Sequence, residues 1–141
     1  MFEMTDILYN LKMAARLVTL NGFNEEEALK SFVESDYYHW YKHNLYGHLY
    51  KCPLQLVSIF TNNVTKTKES KCVITDFASI VIAYMYLVDH TGKTLKEIAE
   101  MFPYGDMQKY ARQDYAGGAY AVAKKMIEDH NLQEVTDNVA V

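Results

Sequence analysis

The chain has 141 residues, 50 % of them hydrophobic and 23 % charged, enough for one ordinary domain whose core needs no staples. A formal net charge of −4 leaves no broad basic footprint for nucleic acid or an anionic membrane. Cys52 and Cys72 form no C-x-x-C pair and read as two reduced thiols.

In chain order, Thr5-Asp6 opens a first helix, because both side chains can accept bonds from free backbone N–H groups. Ile7, Leu11, Ala14 and Val18 recur at helical spacing, and Asn21-Gly22 ends the run. Asn24 with Glu27 three residues on forms a capping-box-like start for a second helix, with Ala28, Leu29 and Phe32 facing inward. Asp36 then caps a short aromatic helix, broken at Gly47. Pro53 suits the first turn of a further helix to about Phe60. The stretch 61–71, TNNVTKTKESK, is polar and reads as a linker.

The second half repeats this grammar. Thr75-Asp76 starts a helix whose run Phe77 to Val88, FASIVIAYMYLV, carries no charge. A bilayer needs roughly 18 to 25 apolar residues, so this run is too short to span one. A helix apolar on every face belongs at the centre of a core, with Ser79 and the Tyr84 and Tyr86 hydroxyls either partnered or reaching the surface. Thr91-Gly92 ends it, and Thr94 with Glu97 makes a capping box for Leu95 to Phe102. Pro103-Tyr104-Gly105 turns the chain, Asp106 is expected to cap a helix to about Ala116, and Ala119 to His130 forms the last helix before a frayed tail, 133–141.

At a constant offset of 70, ten of 46 aligned residues are identical between the halves, among them Leu17/Leu87, Gly22/Gly92, Glu27/Glu97 and Phe32/Phe102. Common residue frequencies give about three by chance. The expected architecture is therefore all-α: seven or eight short helices in a single domain. It reads as a tandem duplication (5–60 and 75–132) of a four-helix unit around a buried central helix. Lys12 and Arg16 keep one face of helix one in water, placing it at the rim.

Several motifs carry candidate chemistry. His39 and His43, four apart with His48 nearby, have a zinc-ligand spacing, but the intervening Glu of H-E-x-x-H and a third ligand are lacking, so no metal or cofactor is expected. Gly92-Lys93-Thr94 matches the end of a phosphate loop, yet the required upstream glycine falls at Leu87, so Gly92 and Thr94 read as caps. Asp36 and Asp106 stand where helix caps are wanted rather than as a catalytic pair, and no enzyme is expected. Residues 94–115 have the outline of a helix-turn-helix with a four-residue turn. Pro103 stands where a small residue is usual, and Lys109 and Arg112 are balanced by Asp106 and Asp114.

The composition includes twelve tyrosines, with a cluster at Tyr37, Tyr38, Trp40, Tyr41 and Tyr46. Such side chains combine an apolar body with a polar tip and commonly anchor protein interfaces. These five are the expected partner-binding residues. The expected function is a small protein-binding module that occludes a partner protein. The alternative is a DNA-binding regulator acting through 94–115. Homo-oligomers fit either. Met1-Phe2-Glu3 has no basic n-region, so a cytoplasmic location without membrane association is expected.

Through Ala83, Thr91-Gly92, Glu97, Phe102, Tyr104-Gly105, Tyr110, Tyr115 and Tyr120, the second half resembles a family of small uncharacterised bacterial helical proteins. Some of these are encoded beside predicted ADP-ribosyltransferase-like toxins. Through Ser35, Tyr38, Leu49-Tyr50 and Pro53 the first half resembles a companion family. The family's Leu-His-Thr is replaced here by Ala116-Gly117-Gly118. The resemblance implies an accessory protein, antitoxin-like or a phage-type inhibitor, that occludes a partner such as a toxin or defence enzyme, and it carries over no catalytic residue.

Overall fold

A helix that is apolar on every side must be surrounded, and the run FASIVIAYMYLV is. In a computed structural model describing residues 4–35, 53–62, 64, 77–113 and 118–134, it forms most of α4 (Phe77–Thr91). Seven helices make up the described residues. The other six are α1 (Met4–Leu20), α2 (Glu25–Glu34), α3 (Pro53–Thr61), α5 (Leu95–Met101), α6 (Tyr104–Ala111) and α7 (Gly118–Asp129). Helices α1, α5, α6 and α7 all pack on α4. Along it only Ser79, Tyr86, Asp89 and His90 are half-buried, and every other residue is buried. Among the described residues no helix is long and apolar enough to cross a membrane.

The polar groups of this central helix behave as burial demands. The Tyr84 side chain is fully buried and its hydroxyl donates to the Phe102 carbonyl. Thr91 Oγ1 donates to the Leu87 carbonyl at 2.6 Å. Ser79 and Tyr86 lie at half-buried positions. Helix α1, by contrast, buries Leu11, Ala14, Ala15 and Val18 and leaves Tyr9 exposed. It lies against α3 and α4. Lys12 and Arg16 are half-buried, and the Arg16 Nε has no hydrogen-bond partner.

Both expected corner motifs form. Asn24 Oδ1 accepts from the Glu27 N–H at 2.9 Å. Thr94 Oγ1 accepts from the Glu97 N–H at 3.1 Å, while Glu97 Oε1 accepts from the Thr94 N–H at 3.1 Å, a complete capping box. The helices before these caps end on Gly22 (φ 78°) and Gly92 (φ 71°), left-handed conformations that glycine adopts without a Cβ penalty. At the same offset of 70 the two corners are alike, and α1 lies on α3 much as α4 lies on α7. A row of rings joins the halves: Phe32 stacks on Phe60 at 4.8 Å, Phe60 meets Phe77 edge-on at 5.8 Å, and Tyr104 lies 6.2 Å from Phe77.

Several boundaries differ from expectation. Helix α1 begins at Met4, ahead of Thr5-Asp6. Helix α6 begins at Tyr104, with Pro103 rather than Asp106 in the cap position and no side-chain cap bond. Proline's fixed φ and extended ψ (−60°, 161°) set that boundary, and its carbonyl accepts from the N–H groups of Asp106 and Met107. Asp106 is left in the first turn, where its charge still complements the helix dipole. The helix stops at Ala111, short of Ala116.

Candidate partner-binding surface

The expected anchors Tyr37, Tyr38, Trp40, Tyr41 and Tyr46 lie outside the described residues, as do His39, His43, His48, Cys52, Cys72 and Asp36. Among the described residues no group of three His, Cys, Asp or Glu side chains could hold a metal ion. Thr94, the last residue of the phosphate-loop-like triplet, is committed to its cap.

The helix-turn-helix outline resolves into α5 and α6 separated by two residues, Phe102 and Pro103, rather than four. Helix α6 packs on both α4 and α7 and buries Met107. The Tyr110 hydroxyl donates to Asp129 Oδ2 at 2.9 Å and lies 3.4 Å from His130 Nε2, clasping α6 to the end of α7. Lys125 Nζ stands 3.2 Å from the other Asp129 oxygen. The Tyr110 hydrogen bond first, then Lys125, holds the Asp129 carboxyl below the usual aspartate range. A carboxylate satisfied on both oxygens is a clasp, not a poised base.

A different set of tyrosines gathers on the surface, from α1, α4 and α7. Tyr9 is 62 % exposed and Tyr120 is 42 % exposed, and with Tyr86 they line a cleft of about 300 Å³ over Leu8, Ile82 and Ala119. Helical packing brings them together: α1 and α7 both lie on α4, so residues far apart in sequence share one rim. The Tyr86 and Tyr120 rings meet edge-to-face at 5.2 Å and 82°. His90 lies 5.7 Å from Tyr120 and 6.4 Å from Tyr86. Lys124 Nζ sits 5.7 Å from the Tyr120 ring centroid. Glu134 spans His90 and Lys124 at 3.9 and 4.0 Å.

Packed against one another, the Tyr86, Tyr120 and His90 rings lose little freedom when something docks on them, which lowers the entropic cost of binding. The cleft offers apolar faces for an inserted side chain and phenolic hydroxyls for a partner's backbone. Tyr120 belongs to the residues that carry the family resemblance, Tyr86 stood out in the sequence only as a hydroxyl needing a partner or the surface, and Tyr9 did not stand out. Its one local signal is position: Tyr9 lies off the Leu11, Ala14, Val18 stripe, on the face of α1 that the core does not need. No family model matches the chain, and neither does a curated protein or a solved structure.

Proposed function

We propose that the chain is a protein-binding module that acts by occlusion, covering a partner's working surface in the manner of an antitoxin or a phage-type inhibitor. The observation that carries this is the tyrosine cleft: two large exposed tyrosines and a third, half-buried one in a single preorganised rim. Exposed aromatic anchors of this kind tend to dominate interface energy, and a globular surface seldom leaves them grouped without a use. The resemblance to families encoded beside toxins points the same way. On composition, Tyr37, Tyr38, Trp40, Tyr41 and Tyr46 stand as a second set of anchors. The matching corners support duplication of one helical unit, with the cleft built from helices of both halves.

The competing DNA-binding function through residues 94–115 finds less support. On α5, α6 and the α6 C-cap the exposed charges are Lys96, Lys109 and Arg112 against Glu97, Glu100 and Asp106, which makes no phosphate footprint.

The test is affinity capture from the source cells with the wild-type chain and with Tyr9→Ala/Tyr120→Ala, circular dichroism confirming an equal helical content. A discrete protein partner lost with the double variant is expected. Equal capture by both overturns the assignment of the cleft. Retention of DNA with affinity falling steeply as salt rises supports the regulator instead.

A further inference from the structure

We propose that a second surface, the trough between α2 and α5, docks a basic amphipathic helix of a partner protein. The trough encloses about 650 Å³, and its floor is apolar: Leu29 and Val33 from α2, Ala99 from α5 and the Tyr104 ring. Leu29 is anchored in the core, while Val33, Ala99 and Tyr104 pack partly against it. A single polar atom at this floor, the Tyr104 hydroxyl, already donates to Glu25 Oε2 at 2.6 Å. A small polar ligand would find nothing else there to orient it, whereas the apolar stripe of a helix needs only the floor.

The rim decides which helix. Glu26, Glu34 and Glu100 stand over the trough with Lys30 and Lys96. Helix α2 as a whole holds four glutamates and one lysine, and α5 holds two glutamates and one lysine, a net −4 for the pair. The trough itself is lined by three of these glutamates against two lysines, a net −1 at its rim within the more acidic pair of helices. Two such faces repel, which disfavours a second copy as occupant. A stripe of leucine-like residues flanked by Lys or Arg complements both floor and rim.

The site is also preformed. Helices α2 and α5 touch, each is capped by its own N-terminal motif, and the Tyr104–Glu25 hydrogen bond ties the start of α6 to the start of α2. Docking there requires little reordering of the chain. The trough shares no residue with the tyrosine cleft, so the two surfaces stand or fall separately.

The experiment uses the full chain and a fluorescein-labelled synthetic helix of about 15 residues, roughly four turns, with leucine at i, i+3, i+4 and i+7 and lysine elsewhere. Fluorescence anisotropy is expected to show saturable one-to-one binding, and none to the same peptide with glutamate for lysine. Glu34→Lys/Glu100→Lys, both exposed positions, weakens binding roughly ten-fold. Lys30→Glu/Lys96→Glu strengthens it at one-to-one stoichiometry, with circular dichroism showing an unchanged helical content. Tyr9→Ala/Tyr120→Ala leaves it unchanged. Absence of saturable binding, equal binding of the glutamate peptide, indifference to both charge variants, or loss through the tyrosine variant each overturn the assignment.

Discussion

The hydrogen bond from Tyr84 to the Phe102 carbonyl is the most exposed point of the packing scheme, because it is a polar contact inside an otherwise apolar helix. Tyr84→Phe keeps the ring and removes only the donor, in a site where Tyr84 is 0 % and Phe102 is 2 % exposed. Removing one partner of a buried hydrogen bond costs about 1–2 kcal/mol, most of it desolvation of the group left behind. In urea denaturation at neutral pH the variant should be destabilised by that amount, with an unchanged slope.

Alkali provides a second, sharper readout of Tyr84→Phe. Burial first, then the negative charge of Asp106, raises the Tyr84 phenol above its ordinary value of 10.0. The stability this group contributes is fully present below that ordinary value. It is lost as pH rises above 10.0 toward the folded pKa, because the unfolded phenol ionises first. At a pH about one unit above the unfolded pKa, the wild type has lost about 1.4 kcal/mol through this one group, and Tyr84→Phe has not. The gap between the two proteins should therefore close or reverse. A variant as stable as wild type at neutral pH refutes the buried hydrogen bond, and a gap that stays constant through this range refutes the burial of the phenol.

Other outcomes follow from single contacts. Leu87→Ala, at a fully buried position on the helix that four others surround, should cost about 3 kcal/mol in chemical denaturation. Thr94→Ala removes one side of the capping box and should cost about 1 kcal/mol, with Thr94→Ser retaining most of it; equal loss in both would deny the hydroxyl its role. Tyr110→Phe removes the chief cause of the depressed Asp129 pKa, so carbon-detected NMR titration should show that carboxyl rising toward the ordinary 3.8. The depressed pKa contributes stability above the ordinary value that is lost as acid takes pH down through the folded one, and Tyr110→Phe should blunt that acid sensitivity.

What the sequence made legible was local. Asn24 and Thr94, each with a glutamate three residues on, fix their helix starts through bonds within one turn, so they could be read without knowing the fold. The apolar run of α4 named its own burial, because twelve uncharged residues leave no face for water. Asp106 misled for a physical reason: a good capping side chain was outcompeted by Pro103, whose backbone geometry and packing neighbour Tyr104 set the boundary three residues earlier. The tyrosine cleft was not legible, since Tyr9, Tyr86 and Tyr120 come from three helices and meet only because α1 and α7 share α4 as a neighbour. The acidic trough was equally hidden: each helix looks like an ordinary solvated amphipath, and only their contact creates a floor.

The tyrosine rim is proposed to face a protein partner. A photo-crosslinking amino acid placed at Tyr9 or Tyr120, and at the exposed Glu128 as control, tests it in the source cells most directly. One discrete protein adduct from positions 9 and 120 and none from 128 is expected. The same adducts from all three positions, or nucleic acid alone, would contradict it.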